Sequence, residues 1–143
     1  MNSNYKDSIF RNSLKIMDWK IIIISSSIGI IMGLLSINGF TQKIEPFLWL
    51  LFGISISLVL SKNIDQKIFL HGLLIGLAWG IINGLIQSIF FDLYITNNPQ
   101  FQQSYQKITF MTPKYFVLIT GTITGLITGL VLGALSMLLK KIW

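Results

Sequence analysis

The chain has no cysteine, one histidine and five acidic residues in 143. Without cysteine there are no disulfides, thiol nucleophiles or thiolate metal sites, and the redox compartment stays open. His71 stands alone, and no two acids have the spacing of an acid–base pair or a metal-ligand set, so catalysis and metal binding both lack their usual residues. The glycines recur every four positions within apolar runs, unlike the uneven spacing of a phosphate-cradling loop. An enzyme, a cofactor and a metal are therefore not expected. Charge is also scarce, at 11% of residues against about 25% in soluble domains. The net charge of +6 sits in tails and turns between apolar runs. It reads as an orientation signal and not as a nucleic-acid surface.

Four long apolar segments take the place of the missing chemistry, over about 21–37, 46–60, 68–91 and 115–139. A span needs about 20 apolar residues. The third and fourth meet that length, whereas the second must recruit its flanks, thin the bilayer locally or re-enter without crossing. No small-residue cleavage site follows the first, so it reads as an uncleaved span. The expected fold is a single all-α integral membrane domain over 1–143, with four transmembrane helices in an antiparallel bundle. Lys6, Arg11, Lys15, Lys20, Lys62, Lys67, Lys140 and Lys141 would share one side, and Lys43, Lys107 and Lys114 the other. By the positive-inside rule both termini are then cytoplasmic. Trp19, Trp49 and Trp143 lie near span ends, where interfacial anchors sit.

Two segments outside the spans carry a pattern. Residues 1–20 read either as a basic amphipathic helix, with Phe10, Leu14 and Met17 on one face, or as a frayed tail supplying orientation charges. Between the third and fourth spans, Asn98 reads as an N-cap and Pro99 as a first helical residue. Phe101, Tyr105 and Ile108 follow at helical spacing, giving a short helix on the outer surface. Thr112-Pro113 opens the fourth span in the same way.

Glycine supplies the strongest signal. Gly72, Gly76, Gly80 and Gly84 form one four-residue series, and Gly121, Gly125, Gly129 and Gly133 form another. Small residues at this spacing let two membrane helices approach closely. Between opposed helices, Gly72 would meet Gly133, Gly76 Gly129, Gly80 Gly125 and Gly84 Gly121, since each pair of numbers has the same sum. The expected packing is a glycine zipper of helices three and four, closest at the two central pairs. A steep crossing would separate the ends, whose glycines would then meet other helices or a second copy. A shorter series, Ser25, Gly29 and Gly33, offers a docking face in span one, and the Ser25–Ser27 run favours local loosening of that helix.

Polar residues border both glycine series. Asn83 and Gln87 lie in line with Trp79, and Thr120, Thr124 and Thr128 each precede a glycine. Their structural reading is hydrogen bonding across the interface or back to the backbone. Their functional reading is a polar pocket or permeation path. His71, at the cytoplasmic mouth of span three, reads as an interfacial side chain with its polar end in water, and Asp92 as a partner for Lys114 or another loop cation.

From span three onward the chain resembles a family of small bacterial four-helix membrane proteins, known only as a domain of unknown function. The resemblance rests on Phe69 and Gly72, on Phe90-Phe91-Asp92-Leu93-Tyr94, and on Asn98-Pro99-Gln100-Phe101 leading to Tyr105. It covers about half the chain and implies a four-helix fold in a bacterial inner membrane, but no activity.

Two functions are consistent with these features. The first is a non-catalytic subunit or accessory protein, embedded in the lipid bilayer and packed against other membrane subunits or itself. The second is a permeation or binding protein for a small molecule, using the stripe of Asn83, Gln87, Thr120, Thr124 and Thr128. No charge lies deep in any span, which disfavours ion-coupled transport and puts the subunit reading first.

Overall fold

The computed structural model describes residues 17–142 and is all-helical, with no strand among them. The N-terminal tail, apart from its last four residues, and Trp143 lie outside the described residues. The helices are α1 (Trp19–Ser26), α2 (Ile28–Ile37), α3 (Glu45–Asn63), α4 (Ile68–Ile89), α5 (Phe91–Asn97), α6 (Pro99–Gln106) and α7 (Pro113–Lys140). Four stretches are long and apolar enough to cross a membrane: Trp19–Ile37, Gln42–Asn63, Ile68–Ile89 and Pro113–Lys140. The second is 22 residues long, because a 3₁₀ turn over Gln42–Ile44 precedes α3 and the helix continues to Asn63. Its flanks thus make up the length missing from the apolar run alone.

The break between α1 and α2 has local causes. The Ser27 hydroxyl donates to the Ile24 carbonyl at 2.6 Å, and the Ser27 amide is shared between the Ile23 and Ile24 carbonyls. The Trp79 indole also donates to the Ser25 carbonyl at 2.7 Å. A side-chain donor drawn into the helical ladder is a recognised cause of kinking. The serine run loosens the helix as expected, and an indole from α4 holds it open.

Helix α4 lies between α2 and α7. Toward α2, a Cβ on Gly29 would lie 3.1 Å from the Trp79 Cα, and one on Gly33 would lie 2.7 Å from the Ile86 Cδ1. Toward α7, a Cβ on Gly72 would lie 2.5 Å from the Gly133 amide nitrogen, and one on Gly125 would lie 2.7 Å from the Gly80 Cα. A Cβ on Gly76 would overlap the Gly129 backbone. At the fourth level the contact is looser: a Cβ on Gly84 would be 3.5 Å from the Gly121 Cα, and one on Gly121 would be 3.0 Å from the Gly84 Cα. Three successive levels are therefore too close for any side chain. This corrects the expectation that both end pairs would separate. The helices remain in contact at Gly72 and Gly133, and the contact loosens toward Gly84.

His71 is another departure. It is fully buried, its Nε2 accepts the Asp18 amide at 2.9 Å, and its Nδ1 faces the Lys67 carbonyl at 2.9 Å. With Nε2 accepting, the proton belongs on Nδ1, which donates to Lys67. Both ring nitrogens are used by backbone, which fixes the entry to α1 against the start of α4. The polar end faces protein because the Asp18 amide, at the N-cap of α1, meets it.

Ion pairs mark the two ends of the helices. Lys114 lies 3.8 Å from Asp92, the expected pairing. At the other end Lys140 donates to Asp65 at 2.7 Å and also to the Ile64 carbonyl. The Lys140 ammonium holds the exposed Asp65 carboxyl below its usual range.

The glycine contact can be tested by adding single methyl groups. Gly76→Ala and Gly80→Ala should each destabilise by at least the about 1–3 kcal/mol typical of overpacking, because the obstructing atoms are backbone. At Gly53 a Cβ would meet only the Leu132 Cδ2 at 3.6 Å, so Gly53→Ala should be near neutral. Thermal melting in detergent measures all three, and equal tolerance would contradict the contact.

Candidate functional site

A half-open cavity of about 440 Å³ lies beside the glycine contact. Gly76 and Gly80 of α4 and Gly121 and Gly125 of α7 form part of its wall. The residues that allow close backbone approach therefore also leave the adjoining space empty. All five residues of the sequence-predicted stripe line it: Asn83, Gln87, Thr120, Thr124 and Thr128. Its volume falls in the about 300–1,000 Å³ range of small-molecule sites.

The stripe residues differ in how they are satisfied. Thr120 donates back to the Phe116 carbonyl at 2.8 Å and the Val117 carbonyl at 3.1 Å. Gln87 is buried and donates to the Ser36 hydroxyl at 2.9 Å. Both bonds are of the kinds expected from a packing role. Asn83 is different, since its Oδ1 is buried and has no hydrogen-bond partner among the described residues. A buried amide oxygen without a donor costs about 1–3 kcal/mol. Asn83 lines the cavity as a residue, but this oxygen is enclosed by protein.

One residue of the site does not follow from the apolar pattern. Glu45 is the first residue of α3, just outside the apolar run that begins at Pro46, and it lines the cavity. Its Oε2 accepts from the Ser36 and Thr41 hydroxyls at 3.3 and 3.2 Å, and its Oε1 accepts from the Trp49 indole at 3.3 Å. Gln87, Ser36 and Glu45 form a continuous chain of hydrogen bonds between α4, α2 and α3. The one available signal was Glu-Pro at a helix start with a tryptophan one turn later.

Aromatic rings complete the wall. Trp79, only 1% exposed, packs against Trp49 with ring centroids 5.4 Å apart. Trp49 is half-buried and turns its ring toward α4. Its position is one helical turn beyond Glu45 on a span that starts at Gln42. Tyr94, Phe101 and Tyr105, from α5 and α6, close the end of the cavity. Tyr94 and Phe101 stack at 6.1 Å, and Tyr94 and Tyr105 meet edge-on at 6.3 Å. Burial raises the pKa of the Tyr94 hydroxyl, with further contributions from Tyr105 and Glu45. Tyr105 is raised by burial as well.

Asn98 holds this end in place in an unexpected way. It makes no side-chain cap on α6. Its amide instead donates to the Ser36 carbonyl at 2.9 Å and the Tyr94 carbonyl at 2.8 Å. Asn97 bonds the Ile37 carbonyl at 2.9 Å, where Gly39 takes a positive φ of 73° and lets the chain turn tightly against the Asn97 carbonyl. Pro99 does occupy the first turn of α6. Thr112 likewise makes no side-chain cap, and its extended backbone before Pro113 follows from the proline itself.

No family model matches the chain, and no curated protein or solved structure matches it either.

Replacing the two amides should separate their roles. Asn83→Leu should leave the melting temperature equal or higher, because it removes an acceptor that has no donor. Gln87→Leu should lower it by an amount in the about 0.6–1.7 kcal/mol range of interhelical hydrogen bonds in membranes. A larger loss for Asn83→Leu than for Gln87→Leu would contradict this assignment.

Proposed function

We propose that this chain is a non-catalytic membrane protein that holds a small molecule in the cavity between its helices. The observation that carries this reading is the cavity itself, whose wall contains the whole polar stripe together with Glu45. Glycines of the two series face each other, which leaves less of either for an external partner.

The level-by-level pairing of Gly72, Gly76 and Gly80 with Gly133, Gly129 and Gly125 supports a glycine zipper between antiparallel spans three and four. The basic residues favour cytoplasmic termini, and the resemblance described above favours a bacterial inner membrane. The partners in this reading are the lipid bilayer and the bound molecule.

The alternative, a subunit packed into a larger assembly or against its own copies, draws on span two. Phe47, Leu50, Leu51 and Ile54 are exposed there, as suits either lipid or a neighbouring helix.

Native mass spectrometry of the full chain in mild detergent separates the two readings. Small-molecule binding predicts a one-to-one adduct, lost in Thr124→Phe at an unchanged melting temperature. Stoichiometric protein partners without an adduct would favour the subunit reading. For topology, tags at Met1 and Trp143 should report cytoplasmic and a tag at Gln103 the opposite side. A cytoplasmic signal from Gln103 would overturn the orientation or the number of spans.

A further inference from the structure

We infer that the cavity takes an organic cation, an ammonium-type group that seats against Glu45 and the aromatic rings around it. This rests on the small-molecule reading above and specifies its ligand chemistry.

Charge is the first consideration. Among the residues lining the cavity, Glu45 is the charged one. The hydrogen bonds it receives come from two hydroxyls and an indole, which are neutral donors that leave its negative charge unbalanced. Their lengths of 3.2–3.3 Å are long for bonds to a carboxylate, which usually run about 2.5–2.9 Å. A carboxylate has about four acceptor sites, so three long bonds leave capacity for a ligand. Lys114 pairs with Asp92, and Lys140 with Asp65.

The surroundings decide which kind of cation fits. No group of three His, Cys, Asp or Glu among the described residues could hold a metal ion. Inorganic cations prefer several oxygen ligands, whereas this site offers a single carboxylate. It does offer Trp49, Trp79, Tyr94, Phe101 and Tyr105 in the same wall. The negative faces of such rings attract alkylammonium groups, most strongly where water is excluded. An anion would meet an uncompensated Glu45, and a neutral ligand would leave its charge unanswered. The apolar remainder of an amphiphilic cation could lie along the glycine floor.

The same group could belong to a free solute or to a lipid headgroup, and the test distinguishes them. Full-length protein in phosphatidylglycerol nanodiscs is titrated with benzyltrimethylammonium, its anionic counterpart phenylmethanesulfonate and its uncharged isostere neopentylbenzene. Calorimetry and tryptophan quenching report binding. The cation should bind at least tenfold more tightly than either analogue. Glu45→Gln should cost at least tenfold, Glu45→Asp should recover part of the loss, and Phe101→Leu should weaken binding severalfold. Since the three-probe comparison uses the unaltered protein, it gives a result even if a variant fails to fold. Discs containing phosphatidylethanolamine should weaken the cation by competition if a headgroup is the natural occupant, and leave it unchanged if a solute is. Equal binding of the analogues, blocked by Thr124→Phe, would overturn the cation assignment while keeping the small-molecule reading. No binding of the cation would overturn the assignment outright. Absence of any adduct or bound probe would overturn both.

Discussion

The structure depends on backbone-to-backbone contact between α4 and α7. At Gly72, Gly76 and Gly80 the two helices are close enough that even a methyl group would collide with main chain. In a bilayer no hydrophobic force separates a helix from lipid, so association relies on packing contacts and hydrogen bonds. Replacing side chains by hydrogen along one face multiplies those contacts. It also fixes depth, because sliding by one residue would drive larger side chains into backbone. The position of α7 relative to α4, and with it the position of the threonines opposite Asn83, follows from this contact.

The cavity is the other consequence of the same glycines. Beside Gly76, Gly80, Gly121 and Gly125 the absence of side chains leaves unfilled volume. The flanking residues turn that volume into a chemical environment. Thr120, Thr124, Thr128, Asn83 and Gln87 supply polar atoms, and Glu45 brings a charge from the first turn of α3. The loop helices α5 and α6 cover the end with tyrosines held by Asn97 and Asn98 against the end of α2. Two features that look separate in sequence, a small-residue series and an aromatic loop, meet around one space.

Much of this was legible in the chain. A four-residue glycine series keeps its meaning at any depth in the membrane, and residues one position before each glycine share a helical face. The stripe could therefore be read without knowing the tertiary fold. Glu45, His71 and Asn98 could not be read in this way. Glu45 falls at the edge of an apolar run, and only the return of the chain past Ser36 brings it to the stripe. His71 resembles any interfacial histidine until the Asp18 amide closes over it. Asn98 has the local pattern of a cap, but a neighbouring carbonyl from Ser36 competes for its side chain and wins. In each case the deciding partner is more than fifty positions away or lies on another helix, so local pattern carries no trace of it.

The central claim is that the space beside the glycine contact is a binding site and does not merely reflect loose packing. The most direct measurement is an experimental structure of the protein taken from its membrane without detergent exchange. The account predicts non-protein density between Asn83 and Glu45, with the three tight glycine levels intact. A cavity closed by side-chain repacking, with Asn83 bonded to a protein donor, would contradict it.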